Sequence, residues 1–194
     1  MTCEPRRPDI ARSLLGRAET ARELRGKLLR GLLSESETSM ARHTDHANAQ
    51  VLRRVVADHG WPGRSLVGDE AAKAAWQIAL HADHLPDFQR LVLRLMATAV
   101  ERGEVPIQRW AHLYDRCSVN DGGTQLYGTQ YRLGADGVVE VLPVRDRQRL
   151  DSRRASVRLG PASAALDSLR HRHAREREAD EPHDGAAALV GSAA

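Results

Sequence analysis

The chain is short of the residues that most often announce a function. Two cysteines, Cys3 and Cys117, in 194 residues are too few for a disulfide framework or a cysteine zinc site. No run of about 18 apolar residues occurs, which excludes a membrane-spanning helix. The segment from Met1 to Pro8 has no apolar stretch behind Arg6 and Arg7, so a secretory leader is not expected and a cytoplasmic location is. Neither a Gly-rich phosphate loop nor a GxGxxG stretch is present, which removes the nucleotide chemistries built on those loops. Aromatics are sparse: three Trp, three Tyr and one Phe, all between Trp61 and Tyr131.

The formal net charge is only +3, but it is unevenly spread. Residues 1–30 carry +4, residues 31–144 carry −3, residues 145–177 carry +6 and residues 178–194 carry −4. A nucleic-acid module places basic groups among stacking aromatics. Here the aromatics sit in the acidic middle and the arginines on the flanks, so a nucleic-acid partner is not expected. The basic stretch reads as solvated helix faces.

Residues 1–11, with Pro5 and Pro8, are expected to be disordered, followed by one mostly helical domain over 12–177 and a disordered acidic, then Ala/Gly-rich, tail over 178–194. Leucines at helical spacing predict a helix from Arg12 to Ser34, and Val51, Leu52, Val55 and Val56 a second from about Asp45 to Asp58. Gly60 and Pro62-Gly63 end it. An alanine-rich helix follows Gly68 through Leu80. The next begins near Pro86, suited to a first helical position, and stops at Gly103, and another runs from Pro106 to about Asn120. The period then changes, and residues 125–144 read as a β-hairpin with a glycine-containing loop. Two arginine-rich helices are expected over 146–158 and 163–177. The fold class is therefore mainly α: five or more helices with one β-hairpin packed on them, and no βαβ alternation.

Polar residues cluster at the joints. His81 and His84, three apart, share one helical face, and Asp83 or Asp115 could complete a metal site. The plainer alternatives are a turn cap and a hydrogen-bonded core histidine, or an acid–base histidine, and no metal or other cofactor is expected. His59 before Gly60-Trp61-Pro62-Gly63 suits a helix C-terminus, where the dipole favours a cation, and Trp61 reads as a loop anchor or a ligand contact. Asp115 near the end of its helix opposes the macrodipole and needs compensation. Gln125, Tyr127, Thr129 and Gln130 are a dense set of hydrogen-bonding side chains. On a strand, Gln125, Tyr127 and Thr129 would share one face. A ligand-facing role and a structural network both fit them, since buried amides must be hydrogen-bonded.

The stretch His59-Gly60-Trp61-Pro62-Gly63-Arg64-Ser65-Leu66-Val67-Gly68, then Ala75-Trp76, His81-Ala82-Asp83, Phe88-Gln89, Asp115-Arg116 and Tyr127-Gly128-Thr129-Gln130 resembles a bacterial domain family of unknown function. The resemblance spans roughly residues 45–159. It implies a small, mainly helical protein and a shared polar signature, with no activity attached. Leu80 and Leu85 stand where that family commonly has glutamine and aspartate.

Two functions follow as expectations. In the first, an enzyme acts on a small polar metabolite by hydrolysis, elimination or cyclisation. His81, with Asp83 or Asp115, exchanges protons at a pKa near neutrality, and His59, Trp61, Gln125, Tyr127 and Gln130 bind the substrate. In the second, a non-catalytic protein grips a peptide or small ligand between Trp61 and Trp110. Either way the partner is a small molecule or peptide, not a membrane, and the sequence specifies no oligomeric state.

Overall fold

The structure, a computed structural model, describes residues 4–29, 33–134 and 138–180, with side chains 28–29 and 176–180 outside the description. Its elements are α1 (Pro8–Leu29), α2 (Glu35–His59), a single turn α3 (Arg64–Val67), α4 (Asp69–Leu80), α5 (Pro86–Glu101), α6 (Ile107–Asn120), β1 (Tyr131–Leu133), β2 (Val139–Val141), a 3₁₀ turn over Arg147–Arg149, α7 (Leu150–Ser156) and α8 (Ala162–Asp180). The fold is mainly helical with one two-stranded antiparallel hairpin, as expected.

The alanine-rich α4 is the centre of the bundle. Ala71, Ala72, Ala74, Ala75, Ile78 and Ala79 are all buried, and the small side chains let α1, α2, α3, α5 and α6 contact this one short helix. Around it Leu14, Leu52, Val92, Met96 and Leu113 lose all exposure, each burial contributing about 1.5–3 kcal/mol. A smaller cluster of Ala111, Tyr127 and Val157 forms on α6, with Trp110, Tyr114 and Leu126 against it. Because α6 also gives Leu113 and Cys117 to the main core, it joins the hairpin region to the bundle.

Several boundaries differ from the sequence expectation, each for a local reason. Residues 8–11, expected in a disordered N-terminus, are the first turn of α1. Ile10 and Ala11 are buried in the core, and the Arg7 amide donates to the Leu66 carbonyl at 2.8 Å, tying the segment down. The first helix does not run to Ser34, because Ser34 starts the second one. Its hydroxyl accepts from the Glu37 amide while the Glu37 carboxylate accepts from the Ser34 amide, a capping box. That cap starts α2 ten residues before Asp45. The helix expected over 146–158 is shorter, a 3₁₀ turn and then α7, and the last helix continues through Asp180, past the expected tail boundary at 178. The rest of that tail, 181–194, and residues 1–3 lie outside the described residues.

The hairpin is also shorter than expected. Among the described residues the strand pairing is Tyr131–Leu133 with Val139–Val141, in the register Tyr131↔Val141, Arg132↔Glu140, Leu133↔Val139, with Gln125 and Val144 forming an isolated bridge outside it. Residues 126–130 are not strand. Gly128 has φ +61, a left-handed conformation that favours glycine, and it turns the chain back toward α6. Gln125, Tyr127 and Thr129 therefore do not share one face of a strand.

Candidate functional site

The joint between α4 and α5 is built by its sequence. Pro86 occupies the first position of α5, and a residue preceding proline avoids the helical region, so α4 must stop and a new helix begin. His81 caps α4, its amide donating to the carbonyls of Gln77 and Ile78. Ala82, fully buried, pins the turn. Asp83 then faces α6. Arg116 grips both of its oxygens, Nε to Oδ1 at 2.9 Å and Nη2 to Oδ2, and the Asn120 amide donates to Oδ1 at 2.8 Å. Buried Gln89 donates to the same oxygen at 3.2 Å and to the Ala79 carbonyl at 3.0 Å, while accepting from Asn120 at 3.0 Å. Burial alone would raise the Asp83 carboxyl, but Arg116, Asn120 and Gln89 together hold it below the usual carboxylate value.

His81 and Asp83 open onto a cleft of about 680 Å³, whose other wall is α2: Arg42, His43, Asp45 and His46, with His84 completing the rim. The His46 and His84 rings lie 4.8 Å apart, tilted by 38°. Behind the cleft Arg25 of α1 pairs with Asp45 at 2.9 Å. Burial, then the charges of Arg25 and Arg116, push the His81 imidazole down to about 3, against a weaker upward pull from Asp83. The near-neutral pKa expected for this histidine is thus corrected: it is an uncharged imidazole at physiological pH. No hydrogen bond among the described residues reaches its ring, and Asp83 is turned to Arg116 rather than to it. Among the described residues, no three His, Cys, Asp or Glu side chains are placed to hold a metal ion.

None of the other six expected residues lines this cleft. Asp115 is fully buried. Its Oδ1 accepts the amides of Leu126 at 2.7 Å and Tyr127 at 3.0 Å, and its Oδ2 the amide and hydroxyl of Thr129 at 3.0 and 2.9 Å. The helix dipole that opposes this carboxylate is offset by these donors, and the 126–130 turn is wrapped on them. The carbonyls of the same turn are held from the opposite side by α7: Arg153 Nε on Leu126 at 2.8 Å, and buried Arg154 Nη1 on Tyr127 at 2.7 Å and Gly128 at 3.3 Å. The Gln125 amide nitrogen donates to the Gln130 and Leu142 carbonyls at 3.0 and 2.9 Å, and its oxygen accepts the Gln130 amide at 2.5 Å. Gln130 Nε2 is spent on the His112 carbonyl and the Thr129 hydroxyl. The Tyr127 ring packs edge-on against Trp110 and Tyr114. These residues form an internal network of the turn.

His59, last residue of α2, accepts from Arg7 Nη1 through its Nε2 at 2.9 Å when that nitrogen is unprotonated. Trp61 and Trp110 pack, partly buried, on the main core, and their indole N–H groups are buried without a hydrogen-bond partner among the described residues. Sequence reasoning missed the α2 wall of the cleft, although His43 and His46 stand three apart on one helical face. It also missed His112, Tyr131 and Arg154, which with Thr129 line a second cavity of about 530 Å³ under α8. Arg154 lay in a segment read as a solvated basic face.

Comparison with curated proteins and with solved structures finds no match. A family of unknown function, DUF6624, matches residues 8–173, which takes in every helix from α1 to most of α8, the hairpin and both cavities. The chain belongs to that family.

Proposed function

We propose that the cleft between α2 and the α4–α5 joint binds a small anionic metabolite, and that His81 is the group that exchanges a proton with it. The observation that supports this is the sign of the field at His81. An uncharged, half-buried imidazole lies among the guanidinium groups of Arg25 and Arg116, with Arg42 on the rim, while the nearest carboxylate, Asp83, is committed to Arg116. A site whose fixed charges disfavour an imidazolium favours an incoming anion by the same Coulomb terms. Once bound, the anion raises the His81 pKa, so binding draws a proton from solvent onto the imidazole. An acid–base enzyme of this kind converts its substrate by hydrolysis or elimination, with His81 protonated only in the complex. Binding without conversion is the second reading, and it is favoured by the lack of a carboxylate hydrogen-bonded to His81.

The test is binding of succinate and of inorganic phosphate by calorimetry between pH 8 and pH 5. The free His81 pKa is near 3 and the bound value is higher, so binding takes up a proton and affinity rises as pH falls, by at most about tenfold per unit. His81→Gln is expected to abolish this slope while the melting temperature at pH 8 holds. Binding that is indifferent to pH, or an unchanged slope in the variant, sinks the assignment. Turnover across a panel of esters, lactones and hydroxy acids then separates the enzyme from the binder.

A further inference from the structure

We propose that the space beneath α8 is a second binding site, for a small carboxylate with an apolar body, its charged end held by Arg154, His112 and Tyr131. Two cavities lie under this helix and share Tyr131 as a wall. The larger, about 530 Å³, has His112, Thr129 and Arg154 on one side and Ala165, Ser168 and Leu169 of α8 on the other. The smaller, about 220 Å³, is mostly apolar, lined by Val141, Val144, Leu150 and Leu166, with Arg147 and Ser163 also on its wall. Neither shares a lining residue with the His81 cleft.

Arg154 points to the ligand. It is 3% exposed, with Nε on the Gly160 carbonyl at 2.6 Å and Nη1 on the Tyr127 and Gly128 carbonyls. Among the described residues no carboxylate is paired with it, and its one side-chain hydrogen-bond partner is Tyr131, which also lines the cavity. A buried guanidinium that lines a cavity without a paired carboxylate is stabilised by an anion placed there. The Tyr131 hydroxyl meets the same guanidinium. Burial, then the charge of Arg154, keeps His112 neutral against the pull of Asp115, so its imidazole has one N–H to donate. One buried cation with two uncharged donors suits a singly charged carboxylate better than a doubly charged phosphate. The exposed Arg172 on the rim adds attraction from solvent. Beyond Tyr131 the walls are mostly hydrocarbon, from Val141, Val144, Leu150 and Leu166, and that space favours an alkyl or aryl body over water.

The experiment is calorimetric titration of the intact chain with octanoate and benzoate, with acetate as the control lacking a body and inorganic phosphate as the control anion, followed in parallel by the His112 imidazole signals in nitrogen-correlated spectra. One-site saturable binding of octanoate is expected, at least about tenfold tighter than acetate or phosphate, with the His112 signals shifting and those of His81 still. Replacement of Arg154 risks unfolding the turn it holds, so two other variants carry the test. Ala165→Phe fills the cavity from α8 and is expected to abolish binding with an unchanged melting temperature. Tyr131→Phe removes one donor to the carboxylate and is expected to weaken octanoate and acetate alike, by about tenfold. No saturation below about 10 mM, full binding by Ala165→Phe, phosphate bound as tightly as octanoate, or octanoate shifting His81 instead of His112 would each overturn the proposal. The last result leaves the His81 cleft as the anion site.

Discussion

At the scale of single residues, two near neighbours are set in opposite ways by their surroundings, His81 held uncharged and Asp83 held charged. His81 is neutral because burial and two guanidinium groups exclude its proton. The unfolded chain binds that proton below about pH 6.5, where a free histidine titrates, and the native chain binds it only near 3. Stability contributed by a neutral His81 is therefore complete above about pH 6.5 and is lost as pH falls toward 3, at about 1.4 kcal/mol per unit. Chemical denaturation at pH 7 and pH 5 should show His81→Gln losing about 2 kcal/mol less than the parent over that interval; equal losses would mean that other groups carry the acid sensitivity. His81 and Asp83 were legible as candidates because they adjoin in the chain at a helix joint. The value of the imidazole's pKa was not, since Arg25 and Arg116 come from helices far away in sequence. His112 and Arg154 were illegible for the same reason: an arginine reads as solvated until two carbonyls from a distant turn, with the Gly160 carbonyl nearby, close on it.

At the scale of elements, helices were read from apolar periodicity, and Pro86 and Pro106 marked the starts of α5 and α6. The departures are where side chains overrule the pattern. The Ser34–Glu37 capping box was written in the sequence and sets the start of α2. The alternation through residues 125–131 suggested a strand, but alternation alone does not reveal that a buried carboxylate will collect three amides from one turn of the chain. Asp115 and Arg154 hold the two polar sides of one turn, N–H groups on one and C=O groups on the other, so each charge is solvated by peptide dipoles lying between them. Asp115→Asn replaces an acceptor by a donor facing N–H groups and should cost about 3 kcal/mol or more; Arg154→Met should cost a comparable amount. In the double variant the losses should sum to clearly less than the two singles, because the second removal acts on a turn already released. Strict additivity in urea titrations would show that the two charges act separately.

At the scale of the whole molecule, α4 is the hub of the main core and α6 the hinge between that core and the smaller cluster under the hairpin. The mainly helical class and the single hairpin were legible from the sequence; the choice of α4 as hub was visible only as a run of alanines whose use depends on which helices approach. The convergence of His59, Asp115, Tyr127 and Gln130 with His81 in one cleft was an expectation of chemistry, and the fold instead divides polar side chains between an open cleft, a roofed cavity and an internal network. The last of these has a consequence for dynamics. Irregular chain segments ordinarily trade their amide protons with solvent quickly, through small local openings. The amides of Leu126, Tyr127 and Thr129 end on the fully buried carboxylate of Asp115 on α6, so they can be released only when the turn lifts off that helix. In deuterium oxide they should rank with the amides of α4 among the slowest to exchange, a loop that keeps time with the core.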